Sequence, residues 1–357
     1  FKSNIFISKT ALSDKYNHLK FNRYKGCKRS FVFKNFFTYL FGIFFQTLKY
    51  SFFCRTNLLI IVLHILKKII KYESLFSQIK AKFLIQERSY TTSAIKNFLF
   101  KKNGGINTSC IQKNIIPIRN DGFYINVDYF FSLGNKTTVP LSFTGAKIKK
   151  IIPVGSIFLE SRWFNTKKIE VPYFDLLVIC GNAKAHITHH TYLNDYYEHF
   201  KWIAKLSKKY PELKIGLKHP AQKYKLKGFK LKNEDINKII DNTNAIQIID
   251  NLGHENYSYG YAYNAKLLCG WNSVMAYEML GHQKPFLLLD PGKRNIGFLH
   301  KDNFNQKWRF GTFEEFEKVV KKIIISKEEV KVDNSQDFCL ESKNVSKKIS
   351  YYLREIV

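Results

Sequence analysis

Two doubly wound α/β domains joined by a linker are the architecture this sequence predicts, and three observations carry it. The chain has 357 residues, more than a single hydrophobic core usually serves. From residue 82 onward short apolar strands alternate with short helices, the pattern of βαβ units and a mostly parallel sheet. That alternation comes twice, once over 82–154 and again from 173, parted by an irregular, charged stretch at 157–172. The expected domains are therefore 1–156 and 173–357, with 157–172 as the linker.

Residues 1–30 are basic and polar and show no period. The chain opens on Phe1 rather than Met, which admits a first strand upstream of it. Two uncharged apolar runs follow, NFFTYLFGIFFQTL at 35–48 and TNLLIIVLHIL at 56–66, with Lys49 and Arg55 between them. Each falls short of the roughly 18 residues a spanning helix needs. The first resembles a signal-peptide core in length but starts too late and lacks a small-residue cleavage site. Both read as helices, packed in the core of the first domain in preference to lying in a membrane interface with flanking lysines as anchors.

In the first series, 82–86 reads as a strand and 90–101 as a helix ended by Asn103-Gly104-Gly105. Strands at 108–112 and 128–133 follow, the second closed by Gly134-Asn135; a short helix at 138–144 ends at Gly145, and a strand at 150–154 closes on Gly155-Ser156. Gly and Asn punctuate where turns need them. The second series opens with a long apolar strand at 173–180 ending in Gly181-Asn182. An amphipathic helix at 194–209 stops before Pro211, a strand at 213–217 runs into Lys218-His219-Pro220, and another strand spans 245–250. The unit at 266–291, KLLCGWNSVMAYEMLGHQKPFLLLDP, is strand, turn, helix and strand in 26 residues, broken at Gly270 and Gly281. A last amphipathic helix at 313–325 has Thr312 as its cap.

Composition narrows the function. Six scattered cysteines with no CxxC spacing argue for a reducing compartment and against a zinc site or a disulfide framework. The net charge of +30 is concentrated: residues 1–120 hold 22 Lys and Arg against three acids, Asp14, Glu73 and Glu87. Such an excess normally suggests nucleic acid or an anionic membrane, although Lys, Asn, Ile and Phe are abundant together, as an AT-rich coding sequence makes them. We assign about half the excess to that bias. No RNA-recognition, KH or helix-turn-helix signature is present, and the cations do not interleave with aromatics on one strand face, so nucleic acid is not the expected partner.

Several residue groups can carry chemistry. Ser273, with Asn272 before it, sits where a serine caps a helix; the same free N–H groups and positive dipole end can hold a phosphate. Glu278 lies five residues on, near enough to that end for its carboxylate to accept hydrogen bonds from a ribose. Lys218 and His219 stand at the C-terminal end of a strand, where open α/β sheets place ligands; a His-Pro there is otherwise a turn. His186, His189 and His190 have mixed spacing and no carboxylate or cysteine beside them, which disfavours a metal site. Asn182 and His190 instead suit a polar loop touching donor or acceptor. Glu87 and Arg88, just after a strand end, are the only charged pair placed to offer a base from the first domain.

In the order of these motifs the chain resembles a GT-B type glycosyltransferase, two Rossmann-like domains facing a cleft. It is most similar to bacterial surface-polysaccharide enzymes and CDP-glycerol glycerophosphotransferase-like proteins. The resemblance covers about 82–325 and rests on 128–156, 173–182, the Lys-His-Pro at 218–220 and the turn-Ser-Glu-Gly-Lys-Pro run at 271–291. It implies a nucleotide-sugar donor bound by the second domain: phosphate contact from Ser273 and its turn with Asn272, ribose contact from Glu278, and Lys218 and His219 facing the donor's phosphates or leaving group. It also implies a polar-aromatic turn near the phosphates at Tyr257 and Ser258. The absence of a DxD pair fits metal-independent transfer with no cofactor beyond the donor itself.

The glycerophosphotransferase pattern has a Ser-Ser pair before an Asp, whereas this chain has Asn272-Ser273 before Glu278, which favours a sugar over glycerol phosphate as the transferred group. The expected acceptor is a glycan or a lipid-linked glycan, and the expected location is cytoplasmic, peripheral on the inner face of the plasma membrane. The basic N-terminal third would dock there on anionic lipid. A CDP-glycerol-type glycerophosphotransferase or a sugar epimerase on the same fold, and a non-catalytic basic protein binding nucleic acid or membrane, are the alternatives.

Overall fold

The computed structural model describes residues 5–6, 21–22, 29–79, 81–86, 92–118, 124–165, 167–168, 170–180, 193–218, 246–249, 255–270, 273–293 and 300–356. After a small parallel pair, Ile5–Phe6 with Phe21–Asn22, come two helices, α1 (Arg29–Phe53) and α2 (Val62–Gln78). The first sheet follows. Its strands are β1 (Phe83–Gln86), β2 (Asn107–Ile111), β3 (Asn126–Ser132) and β4 (Lys147–Pro153), with α3 (Ala94–Lys102) between β1 and β2. They lie side by side in sequence order, all parallel.

Consecutive residues of a strand face opposite sides of its sheet, and β3 shows what covers each side. Phe130 joins Cys110, Ile116 and Leu141 in one core, while its neighbour Phe131 joins Ile111, Ile152, Val154, Val345 and Ile349 in another. A strand buried on both faces carries apolar residues in succession, as β3 does at Tyr129-Phe130-Phe131. The second of these cores is closed by the last helix of the chain, α8 (Val345–Ile356). That helix falls within the stretch assigned to the second domain at 173–357, yet it packs on the first sheet.

The second sheet consists of β5 (Leu176–Ile179), β6 (Ile215–Lys218), β7 (Ile246–Ile249), β8 (Leu267–Gly270), β9 (Phe286–Leu289) and β10 (Arg309–Phe310). Its order is β10-β9-β8-β5-β6-β7 and every pairing is parallel. The chain winds outward from β5 to β7, then jumps back to β8 and winds the other way. Right-handed crossovers therefore set α4 (Leu193–Lys209) on one face, and α5 (Glu255–Asn264) and α6 (Val274–Gly281) on the other. Trp202 of α4 stacks on Phe316 of α7 (Phe313–Val320) with ring centroids 6.3 Å apart. Thr312 caps α7 in a full capping box with Glu315, as its sequence signals.

The strands and helices expected from 82 onward all have counterparts, with three shifts. The helix at 90–101 is described from Ala94. That at 138–144 is a 3-10 turn over Val139–Phe143 with Pro140 in its first turn. The helix at 313–325 loosens into a π turn over Lys321–Ile325. The linker is itself partly helical, turning through Ile157–Leu159 and Glu160–Phe164. The expectation that both N-terminal runs pack in a core holds only for part of them. α2 joins α3 and β1 through Phe76, Leu99 and Phe100, whereas much of α1 lies exposed.

The segment 334–342 threads between the two units and is tied to both. Asn135 and Lys136 N–H groups donate to the carbonyls of Gln336 and Asp337, and Leu340 N–H donates to Leu133 O at 2.8 Å. Glycines allow this approach. A Cβ on Gly134 would meet the Asp337 carbonyl oxygen at 2.6 Å, and one on Gly281 would meet Cys339 at 2.4 Å. Gly281→Ala is expected to lower the free energy of unfolding by about 1–3 kcal/mol through overpacking. Gly42→Ala, in open space on α1, should instead be neutral or slightly stabilising through helix propensity. Urea titration of the two variants checks the opposite signs; an unchanged midpoint for Gly281→Ala would contradict the packing.

Candidate functional site at the rim of the second sheet

The second sheet changes winding direction between β5 and β8, and in such sheets ligands bind beyond the carboxyl ends of the strands at that point. The register brings three strand ends level there: Ile179 of β5 pairs with Lys218 of β6 on one side and Gly270 of β8 on the other. The backbones are packed tightly. Cys180 N–H donates to Lys218 O at 2.9 Å, and a Cβ on Gly270 would lie 2.5 Å from the Ile179 carbonyl oxygen. Only glycine fits at the end of β8, which explains the break seen in the sequence.

Directly after Gly270 the chain reaches α6. Ser273 is its N-cap, in extended conformation, and its Oγ accepts from Met275 N–H at 3.3 Å. Accepting that bond leaves the Ser273 hydroxyl proton free to donate elsewhere, beside the positive end of the helix. Lys218 is buried at the end of β6, with its Nζ 5.8 Å from the centre of the Tyr261 ring. Helix α5 also starts on this side of the sheet, since it follows β7. The structure thus brings Lys218 and Ser273 to one rim. Asn182, His186, His189, His190, His219, Asn272, Glu87 and Arg88 lie outside the described residues.

Two expectations are corrected. The segment at Tyr257 and Ser258 is the first turn of α5, a helix beginning at Glu255, and not a polar-aromatic turn. Glu278 does not project beside Ser273. Five residues along a helix amount to about 140° of rotation, so the two side chains leave α6 in different directions. Glu278 is fully buried; its Oε1 accepts from the hydroxyl of Ser156 and its Oε2 from Tyr259 at 2.8 Å. Both oxygens are therefore engaged within the protein.

That carboxylate sits in the seam between the two units. Ser156 follows the last strand of the first sheet; its N–H donates to Ser342 Oγ at 3.0 Å, and its own Oγ accepts from Leu159 N–H at 3.1 Å. His282, just after α6, meets the same Ser342 Oγ at 3.2 Å. Glu160 accepts from the Ser346 N–H at 2.8 Å and hydroxyl at 3.2 Å, tying the linker turn to the start of α8. Trp163 of that turn stacks flat on Tyr263 of α5 at 4.3 Å. Sequence reasoning missed this seam, though one signal for it was present. The segment VMAYEMLG is apolar all round, so the helix had to be buried, and a carboxylate inside it had to find hydrogen-bond donors.

Burial pushes the Glu278 carboxyl above its ordinary value of 4.5, against the opposing pull of the Ser156 and Tyr259 hydroxyls and the Arg162 charge. Burial and the neighbouring Glu278 together push the Tyr259 hydroxyl well above 10. The folded protein therefore holds the Glu278 proton more tightly than the unfolded chain does. Its contribution to stability is full below about pH 4.5 and is lost as pH rises through the raised value.

Comparison with known proteins agrees with this architecture. No family model matches the chain, and no curated protein sequence does. Among solved structures, S. aureus MnaA in its complex with UDP superposes with a TM-score of 0.53 at 11% identity, over 81% of this chain and 79% of that one. A Listeria monocytogenes protein assigned as a UDP-N-acetylglucosamine 2-epimerase superposes with a TM-score of 0.54 at 10% identity, over 81% and 78%. At about 10% identity the likeness shows the fold alone, a GT-B type arrangement of two Rossmann-like domains.

Replacing the buried acid tests the seam. Glu278→Gln keeps the shape and removes the charge, so its stability relative to the native protein should grow as pH is raised from about 4 toward 8, measured by urea unfolding at each pH. Glu278→Ala should cost roughly 3 kcal/mol or more, because it opens a cavity and strands two buried hydroxyls. A stability difference between the native protein and Glu278→Gln that does not vary with pH would contradict the raised pKa.

Proposed function

We propose that the protein is a nucleotide-sugar enzyme, and specifically a metal-independent glycosyltransferase that moves a sugar from a nucleotide donor to a lipid-linked surface glycan. The observation that carries the reading is the rim of the second sheet. There Gly270 at the end of β8, the N-terminus of α6 and buried Lys218 meet at the topological switch point. A diphosphate suits that place. Backbone N–H groups and the dipole of α6 supply fixed positive potential, Ser273 offers a hydroxyl proton, and Lys218 adds a cation at the edge of a low-dielectric core.

In this mechanism the donor binds with its diphosphate against α6, and the acceptor hydroxyl approaches from the first sheet. The acceptor oxygen bonds to the sugar's anomeric carbon as the glycosidic bond to the donor breaks; the acceptor's proton is released to solvent and negative charge grows on the leaving diphosphate. In this reading Lys218 and Ser273 stabilise that charge, joined by His219, the next residue in sequence after Lys218. Glu278 has no part in donor contact and instead holds the seam. No cofactor beyond the donor is invoked.

A second reading, epimerisation of the donor's sugar at the same site, is favoured by the likeness in fold to the Listeria epimerase. The two readings differ in their products. A transferase releases nucleoside diphosphate only when an acceptor is supplied, whereas an epimerase converts the sugar nucleotide without one.

Thermal stabilisation by UDP, CDP, CMP, GDP and ADP tests the shared claim. The matching nucleotide at a hundred times its Kd should stabilise the protein by about 2.7 kcal/mol. Ser273→Ala should abolish most of that shift, while Glu278→Gln should retain it. No shift with any of the five would remove the nucleotide-binding reading altogether.

A further inference from the structure

The N-terminal hairpin carries a surface that the donor site does not explain. Along α1, Phe37, Phe41, Phe44, Phe45, Leu48 and Phe52 are all exposed, between 40% and 85%. At about 100° per residue they fall within roughly 100° of arc. They make one continuous apolar stripe about 22 Å long at 1.5 Å per residue. The opposite side of α1 is packed in part: Leu40, Ile43 and Thr47 are half-buried or buried and Tyr39 lies against Lys102 of α3, while Gln46 and Tyr50 there stay exposed. Further apolar side chains near the hairpin tip, Phe53, Ile60 and Leu63, are exposed at 72%, 83% and 71%.

Charge decides what covers this surface. Between Asp14 and Glu73 the sequence has 12 Lys and Arg and not one acid. Lys49 is exposed on α1 about 40° outside the edge of the stripe, and Lys67, Lys68 and Lys71 are exposed on α2. An aromatic stripe margined by long cationic side chains can sink its rings while the ammonium groups stay in water. No described helix is long and apolar enough to cross a membrane, so the hairpin would lie in the interface plane. We propose that the α1–α2 hairpin is a membrane-docking element that seats the protein on an anionic lipid bilayer. Each cation near such a surface contributes roughly a fivefold gain in affinity. The inference stands on the stripe and its cations and is independent of the donor site.

Flotation of the full chain with vesicles tests it. The protein should float with phosphatidylcholine/phosphatidylglycerol vesicles and bind pure phosphatidylcholine at least tenfold more weakly, with binding falling as salt rises. The triple variant Phe41→Ser/Phe45→Ser/Phe52→Ser should lose at least tenfold in affinity with an unchanged melting temperature, since these rings are exposed. Lys67→Glu/Lys68→Glu should lose a similar factor. An environment-sensitive fluorophore on exposed Cys54 at the tip, with Cys27 replaced by Ser, should brighten several-fold on adding anionic vesicles, a readout that leaves the stripe intact. The proposal is overturned if the protein stays unbound with both vesicle types, or if the triple serine variant floats as well as the native chain. It is equally overturned if light scattering shows a dimer that the serine variant dissolves while vesicles capture nothing, or if RNA binds where vesicles do not.

Discussion

The arrangement of the two sheets depends on one buried carboxylate. Glu278 lies in the middle of α6, fully buried and bound by two hydroxyls from different parts of the chain. Ser156 brings the exit of the first sheet, and Tyr259 brings α5 of the second. A charge in such a place is costly unless its oxygens are hydrogen-bonded, so α6 is stable there only when both hydroxyls are in position. The requirement works in both directions, because a buried Tyr or Ser hydroxyl without a partner is also penalised. This reciprocity fixes the position of the first unit's last strand against the second unit's central helix more sharply than apolar packing alone does.

The segment 334–342 complements that joint by backbone contact. It hydrogen-bonds to the rim of the first sheet at Leu133, Asn135 and Lys136, and Cys339 presses on Gly281 at the end of α6. From there the chain enters α8, whose apolar side completes the core over Phe131 and Ile152. The first unit is therefore built from two distant pieces of sequence, and its core is incomplete without the last helix. Loss of the C-terminal turn structure would expose one face of the first sheet and loosen the seam together.

The strands of both sheets were legible because each signal was local. An apolar run bounded by Gly or Asn reads the same in sequence and in space, as at Gly134-Asn135 and at Gly270, where the neighbouring carbonyl excludes any side chain. The rim position of Lys218 and Ser273 was legible for a related reason: both lie within a few residues of a strand's end. What failed was direction around a helix. Ser273 and Glu278 are close in sequence, but about 140° of rotation separates them, and neither residue alone reveals which side is cleft and which is seam. The return of α8 to the first sheet was not legible at all, since it depends on a contact between residues as distant as Val345 and Ile111. The exposure of α1 failed for the opposite reason: apolar content predicts burial in something, and sequence does not say whether that is protein.

The basic composition gains meaning from where the acids went. With 28 acids against 58 bases, composition explains the number of cations but not their placement. Several of the acids serve at junctions between elements: Glu73 links α2 to Lys102 of α3, Asp128 of β3 meets Lys101, and Glu317 of α7 meets Lys209 of α4. Asp290 and Arg309 form a buried pair where β9 meets β10. The pairs with exposed lysines contribute little each, but together they place acids where elements meet, and the one acid of the α1–α2 hairpin, Glu73, is buried, so no acid lies on its exposed surface. A field of one sign over that hairpin, together with the positive helix end at the rim of the second sheet, favours anionic partners at both places. A nucleoside diphosphate and an anionic lipid surface are different ligands, and they are favoured by different sources of positive potential, a helix end at the rim and exposed lysines on the hairpin.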